Sequence, residues 1–339
     1  MSFATLTSIQ EADAATRGGI DCLTPVYQTG LVLHLDAGSP CQTGSTTTWL
    51  DTSGNNKDLT FTGTPSYDST SQKSYAFNGS TYGTLPSGFA NFDSGISISF
   101  YMKWASNTGI WQRVIDFGYS SSGNLYAPQS DNIFVSRVGS TRNVTLSFYR
   151  GSQSQGPCAT NSGTAIEANV WKHYAFVINP SGADKCKVFI NGSEVTTQTD
   201  PTYANGGPIN ITRNSNFVGE SNWSVDDVLA GSISDLALYN IALSNAQVST
   251  NYSAQTTSPP SNSAAPTISG TTTFGQTLSS TAGTWANSPA SYTYQWSRAD
   301  SSGGSYSNIS GATSSTYNLV TADVGKYLKS TVTATNDGG

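Results

Sequence analysis

The segment GISISFYMKWAS places Ile96, Ile98, Phe100, Met102 and Trp104 at every second position. A two-residue period puts these five side chains on one face of an extended strand and Ser97, Ser99, Tyr101 and Lys103 on the other. A helix would scatter them around its axis, so the segment has to be a strand with one face buried. NVTLSFYR repeats the pattern with Val144, Leu146 and Phe148, and DLALY with Leu236 and Leu238. HYAFVIN and CKVFINGSEV follow the same rule, the second turning at Asn191-Gly192, a dipeptide suited to a type I′ hairpin. Ser244 stands three residues before Gln247, which predicts a capping box and a helix of about two turns. Many short strands, frequent turn signals and one terminal helix predict an all-β protein: an antiparallel two-sheet sandwich with the helix sealing an open side.

Only 11% of the 339 residues are charged, and the net charge is −6. With no Lys/Arg cluster, a nucleic-acid partner is set aside. No stretch approaches the roughly 18 apolar residues of a membrane span, so membrane insertion is not expected. The start, MSFATLTSIQEADAATRGGIDCLTPVYQ, has no basic n-region and no continuous apolar h-region and does not read as a Sec signal peptide. Residues 1–29 read as an N-terminal arm, residues 30–254 as the first domain and residues 255–265, within TTSPPSNSAAP, as a stiffened linker. Residues 266–339 form a small second domain. The four cysteines, Cys22, Cys41, Cys158 and Cys186, are too few for a disulfide-built scaffold. They read as free thiols, with Cys22–Cys41 or Cys158–Cys186 open as bridges should the protein meet oxidant.

GLVLHLDAG, TTTWLDTSGNNKDLTFTG, SYAFNGSTYGTLP, VWKHYAFVI, KVFINGSEV and NFVGESNWSVDDVLAGSISDLALYNIALSNAQVSTNY occur in an order and spacing that resemble the concanavalin-like, laminin-G-like jelly-roll domains. The resemblance covers Gly30 to about Ala254. It implies a jelly-roll sandwich that in relatives binds glycans or protein surfaces, often with calcium. The second domain is similar to bacterial and phage Ig-like repeats. Trp296 in YQW supplies the central core tryptophan, and Asp323-Val324-Gly325-Lys326-Tyr327 resembles the turn into a tyrosine corner. Lys329 stands where antibody domains have their second cysteine, so that bridge is absent.

The jelly-roll fold also houses glucanases, whose retaining chemistry needs two carboxylates about 5 Å apart. The four glutamates, Glu11, Glu167, Glu194 and Glu220, lie in no E-x-D-x-x-E motif, and no nucleophile stands in a recognisable context, so the chain does not read as an enzyme. His34 and His173 sit inside apolar strand patterns and read as satisfied core or face residues. Two loops concentrate oxygen donors. Around DTSGNNKD, Asp51, Asn55 and Asp58 are candidate calcium ligands. In ESNWSVDD, Asn222, Trp223, Asp226 and Asp227 are candidate glycan contacts, a ring for apolar C–H faces and polar groups for hydroxyls. Trp111, Tyr119 and Tyr126 mark a third, aromatic-rich loop whose Ile110, Val114, Ile115 and Phe117 read as core.

These readings converge on a bacteriophage virion surface protein, a capsid decoration or fibre component that displays its two modules toward a host-surface glycan or protein. The arm would dock on other virion proteins, as a homo-oligomer or part of a larger assembly. The alternative is a bacterial cell-surface adhesin or glycan-binding module, with an exported glycan hydrolase last. Six candidate strands in the second domain, where an Ig-like sandwich has about seven, leave Lys326–Asn336 with an expected unpaired edge. Strand addition, subunit contact or chain beyond Gly339 would complete it.

Overall fold

The computed structural model describes residues 26–335 except 40, 43, 70–71, 121–129, 152, 162, 182–184, 199–206, 257–259, 288 and 290. The expected arm is described only from Val26, and Tyr126 and Cys22 fall outside the described residues. The chain divides into two units, residues 1–256 and 257–339.

Among the described residues, sixteen strands build the first unit: β1 (Leu31–Asp36), β2 (Thr48–Trp49), β3 (Leu59–Thr62), β4 (Ser66–Asp68), β5 (Ser74–Asn78), β6 (Tyr82–Leu85), β7 (Ile96–Trp104), β8 (Arg113–Tyr119), β9 (Ser130–Arg137), β10 (Val144–Arg150), β11 (Gln153–Ala159), β12 (Trp171–Ile178), β13 (Cys186–Ile190), β14 (Ser193–Gln198), β15 (Ser215–Val218) and β16 (Ala230–Tyr239). They form two eight-stranded sheets. Sheet one runs β14-β13-β12-β7-β16-β5-β4, with β1 also on β16, and sheet two runs β11-β10-β9-β8-β15-β6-β3-β2. The jelly-roll sandwich expected from the sequence is present.

Alternation decides what each sheet buries. Ile96, Ile98, Phe100, Met102 and Trp104 of β7 meet Val144, Leu146 and Phe148 of β10 in one core between the sheets. Trp49 stacks there against Phe61 and tilts 4.9 Å from Tyr75. The β13–β14 hairpin turns at Asn191 and Gly192, both in the left-handed region at φ 50° and 72°, as a type I′ turn requires. Val114, Ile115 and Phe117 are buried as expected, whereas Ile110 is 52% exposed. It lies just before β8, outside the strand whose alternation would have turned it inward.

Cys158 and Cys186 are bridged, which corrects the reading as free thiols. Cys158 lies on β11 and Cys186 on β13, so the bridge ties sheet two to sheet one. A separation of 28 residues carries no local signature. Cys41 is bridged as well.

The helix α1 (Asn245–Thr256) is longer than two turns, at 12 residues. Its capping box is present: the Ser244 N–H donates to Gln247 Oε1 at 2.7 Å, and the Gln247 N–H to Ser244 Oγ at 3.4 Å. Leu243 before the cap and Val248 in the first turn share an apolar cluster with Ala175, Val177, Ala237 and Tyr239, the arrangement of a hydrophobic staple. Those four sheet residues have the opposite parity to the inner core. The helix therefore covers the outer face of sheet one and does not plug an open side. Its far turn is held by amides: Asn251 Nδ2 donates to the Tyr239 hydroxyl, Asn251 Oδ1 accepts from the Tyr27 N–H, and Gln255 links Ser99 to Asp235. Val26, assigned to the arm from sequence, is buried in the same cluster.

The second unit holds β17 (Ser261–Ala264), β18 (Ile268–Ser269), β19 (Thr277–Ser280), β20 (Thr284–Ala286), β21 (Ser291–Ala299), β22 (Ser307–Asn308), β23 (Thr316–Asn318) and β24 (Tyr327–Thr335). β17 pairs with β20, β19 lies between β18 and β23, and β21 lies between β22 and β24. Ser261–Ala264, expected in the linker, is thus a strand of this unit. Its core is small: Leu278, Trp296 and Leu319 form the buried cluster. Trp296 is the core tryptophan expected, with Nε1 donating to the Ser314 carbonyl. Tyr327 is 50% exposed and forms no corner; Leu328, Val332 and Ala334 hold the inward parity instead.

Candidate functional site

The outer face of sheet two is set by the other half of each alternating pattern. In β9 the core takes Ile133 and Val135, which turns Asn132, Phe134 and Ser136 outward. In β10 it takes Val144, Leu146 and Phe148, which turns Thr145, Ser147 and Tyr149 outward. A cleft of about 350 Å³ lies on this face, with Trp111, Phe134, Tyr149 and Trp223 on its walls and Thr145, Ser147 and Ser154 supplying hydroxyls.

Arg113 is the post around which the aromatic rings stand. Its guanidinium lies 4.4 Å from the Phe134 ring centroid, 5.1 Å from Trp223 and 5.9 Å from Trp111. Trp223 meets Phe134 edge-on at 5.6 Å and Tyr149 at 5.7 Å. Arg113 Nε donates to Asp116 Oδ2 at 3.3 Å, Nη2 to Asp226 Oδ2 at 2.7 Å, and Nη1 to the Trp111 carbonyl at 2.8 Å. Two carboxylates balance one cation, and the rings are held in place before any ligand arrives.

Beneath this layer Asp116 is fully buried. Its Oδ1 accepts from Asn132 Nδ2 at 2.7 Å and Asn222 Nδ2 at 2.8 Å, and its Oδ2 accepts from the Asn222 N–H at 3.1 Å as well as from Arg113. Burial pushes the Asp116 carboxyl above the usual carboxylate range, opposed by Arg113 and the asparagine donors. Burial also raises Asp226, opposed by Arg113 and Ser221.

The structure sorts the four residues proposed from ESNWSVDD. Trp223 stands on the cleft wall and Asp226 lines it. Asn222 does not face the cleft: it is 3% exposed, and its side chain is used by Asp116 and by Ser215, whose hydroxyl donates to Asn222 Oδ1 at 2.6 Å. Asp227 is exposed and staples the loop to the start of β8, accepting from the Ile110 N–H at 2.6 Å. Arg113, Phe134, Tyr149, Thr145 and Ser147 were not singled out from sequence. The outward parity of NVTLSFYR and DNIFVSRV is the signal that carries Phe134, Thr145, Ser147 and Tyr149, whereas Arg113 lies outside both segments, at the start of β8.

Asp51, Asn55 and Asp58 do come together, but as a self-satisfied loop. Asp51 Oδ1 accepts from the His34 and Ser53 N–H groups and Oδ2 from the Lys57 N–H and the Ser53 hydroxyl, all at 2.9 Å. Asp58 Oδ1 accepts from the Asp51 N–H at 2.8 Å, while Asn55 Nδ2 donates to the Leu31 carbonyl. Both Asp51 carboxylate oxygens and Asp58 Oδ1 therefore already face N–H and O–H donors, which a calcium ion at this loop would have to displace. Among the described residues, no group of three or more His, Cys, Asp or Glu is placed to hold a metal.

The two histidines are buried and partnered: His34 lies 3.0 Å from Asp235 and 2.8 Å from the Thr52 hydroxyl, and His173 Nε2 lies 2.8 Å from the Ser99 hydroxyl. Both belong to sheet one, away from the cleft-bearing sheet.

Residues 77–249, just over half the chain, match the laminin-G family model described as the concanavalin A-like lectin/glucanases superfamily. The chain belongs to this superfamily. The matched span runs from the end of β5 into α1 and contains the whole cleft of this concanavalin A-like domain. Among solved structures it is similar to domain 4 of AbnA, a GH43 extracellular arabinanase from Geobacillus stearothermophilus, in complex with arabinotriose. That match has 23% identity over 66% of this chain and 98% of that one, with a TM-score of 0.46. The binding domain of botulinum neurotoxin DC in complex with SialylT is 10% identical over 83% of this chain and 69% of that one, with a TM-score of 0.50. The botulinum neurotoxin serotype C1 binding domain is 12% identical with a TM-score of 0.49, and the 80% of this chain that aligns spans 58% of it. At these identities the likeness is one of fold. No curated protein matches the chain in sequence.

Proposed function

We propose that the concanavalin A-like domain is a non-catalytic module that binds a neutral glycan across the outer face of sheet two. The observation that carries this reading is the cleft of about 350 Å³ in which Trp111, Tyr149 and Trp223 surround a row of hydroxyls. Rings cover the apolar C–H faces of sugars while Ser147, Ser154 and Asp226 exchange hydrogen bonds with their hydroxyls. Arg113 is already balanced by Asp116 and Asp226, so the site offers no spare cation to an acidic sugar. The superfamily holds lectins and glucanases, and the carboxylates favour the first. Asp116 is sealed under the rings with every acceptor position used, and Asp226 is tied to Arg113, so neither is arranged as a free acid/nucleophile pair.

Arrays of neutral and sialylated glycans test this. Trp223→Ala should weaken binding of the best neutral ligand by about 10- to 100-fold, the worth of one stacked ring at about 1–3 kcal/mol. The protein should stay folded, with a melting temperature lowered by the packing lost on Phe134, Tyr149 and Arg113. A binder of acidic glycans alone, or one indifferent to Trp223→Ala, contradicts the site.

We infer further that the module is displayed on a bacteriophage particle, as a capsid decoration or fibre component, with the N-terminal arm, residues 1–29, joining it to other virion proteins and an Ig-like second unit following it in the chain. The pairing of two display-type sandwiches supports this, as does the Cys158–Cys186 bridge, which suits an oxidising exterior. Detection by mass spectrometry in purified particles is the expected result. Recovery only with the bacterial envelope assigns the protein to a cell-surface adhesin instead.

A further inference from the structure

The second unit has a sheet edge and an apolar cleft side by side. β24 is the last strand of the sheet β22-β21-β24. Trp296 on β21 donates its N–H to Ala312 and accepts from the Ile309 N–H, so its backbone groups point away from β24. Ser330, directly opposite Trp296, therefore also directs its N–H and C=O away from β21, and alternation extends this to Leu328, Val332 and Ala334. Four residues thus present backbone donors and acceptors to the outer edge. Next to that edge lies a cleft of about 660 Å³ flanked by Leu278, Leu319, Val324, Tyr327 and Leu328. Val324 is 69% exposed, and Phe274 across the cleft 63%. Ser330 Oγ is buried without a partner. Among the described residues the buried apolar cluster beside this cleft is small, Leu278, Trp296 and Leu319.

We propose that the occupant of this edge is a second copy of the chain, pairing antiparallel, β24 against β24, so that two three-stranded sheets become one of six strands. Self-complementarity singles out this occupant. A two-fold axis at Thr331 makes Leu328–Ala334 and Ser330–Val332 the hydrogen-bonded pairs, which are the residues with outward-directed amides, and gives about eight new backbone hydrogen bonds. Lys329, the one charge in the strand, falls opposite Thr333, so no like charges meet. The apolar Leu328 and Val332 of both copies stay on the same face, toward the cleft. Protected edges carry proline, inward charges or bulges; β24 has neither proline nor glycine, and its nine-pair register with β21 runs without a shift.

Sedimentation of the full chain from about 1 to about 100 micromolar tests the pairing, a range that brackets an interface of this modest size. A concentration-dependent dimer is expected. Thr331 is exposed on the solvent side of the strand, so Thr331→Lys and Thr331→Glu should leave the monomer's melting unchanged. Each places like charges across the axis and should raise the dimer Kd about tenfold or more. An equimolar mixture of the two should restore the dimer, and the amides of Leu328, Ser330, Val332 and Ala334 should gain protection from hydrogen exchange on dimerisation. A parent that stays monomeric, or a dimer unmoved by both substitutions, overturns the proposal. Edge amides that become protected only when an extended peptide with alternating apolar residues is added would assign the edge to a separate polypeptide, which also overturns it.

Discussion

On the outer side of sheet one, Ala175, Val177, Ala237 and Tyr239 pack with Val248 and Leu243 from the helix and its cap. On the outer side of sheet two, the equivalent parity of β9 and β10 carries Phe134, Thr145, Ser147 and Tyr149, which line a cleft. Both sheets obey the same two-residue rule, and both bury the same kind of inner face. What separates them is the chain that follows. After β16 a capped helix returns over its own sheet; after β15 the loop Glu220–Val228 returns over sheet two and delivers one ring, Trp223, and one carboxylate, Asp226. A helix closes a face, whereas a short loop with a single large ring leaves room for a ligand.

The largest effect should come from uncovering the closed face. Val248→Asp buries an unpaired carboxylate between helix and sheet and should cost about 3–5 kcal/mol in urea unfolding. Glycan affinity of the protein that remains folded should be unchanged. Loss of affinity in the same proportion would mean that the two faces are not independent.

Next in size is the tie between the sheets. Replacing both Cys158 and Cys186 by Ser removes a bridge closing a loop of 28 residues, worth about 3–4 kcal/mol in the chain-entropy treatment. Calorimetry should show a lower melting temperature in the double variant, and reduction should lower the parent at least as far, because it also opens the bridge at Cys41.

The smallest is a pH effect at the margin of the covered sheet. Burial, then the Asp235 carboxylate, push Asp36 up to about 6 from its ordinary 3.8. The folded protein therefore holds this proton more tightly than the unfolded chain. The stability this confers is complete below about pH 4 and is lost as pH rises through about 6. Asp36→Asn keeps an acceptor for the Gly38 N–H and cannot ionise. It should match the parent near pH 4 and exceed it by about 1–2 kcal/mol near pH 8. An equal difference at both pH values would leave the shift without support. His173 runs the other way: burial pulls it down to about 3, so its contribution is present above about pH 6.5 and fades as pH falls below that.

Much of the first unit was legible in its residues. The parity of Ile96 to Trp104 named the inner face of β7, Asn191-Gly192 named a hairpin, and Ser244 with Gln247 named the start of the helix. These signals are local: a strand's period, a turn's φ angles and a cap's hydrogen bonds are each settled within about ten residues of chain. The helix length was not, because Asn251 and Gln255 extend it by binding Tyr239 and Asp235 on the sheet. In ESNWSVDD the composition identified a loop worth attention but did not distinguish Trp223, on the cleft wall, from Asn222, locked beneath it. That difference depends on Asp116, over a hundred residues away, accepting from Asn222.

By itself the sequence determined that this chain is built of strands, which side of each strand seeks apolar company, and where the chain turns. Only the tertiary structure decided that Trp111, Arg113, Phe134, Tyr149 and Trp223 share one site, that Cys158 meets Cys186, and that the edge of β24 stands beside an open cleft. The reason is physical. Alternation fixes the orientation of a side chain relative to its own backbone, but which strands become neighbours depends on how the whole core packs, and side chains gathered from distant strands carry no common period that would announce them.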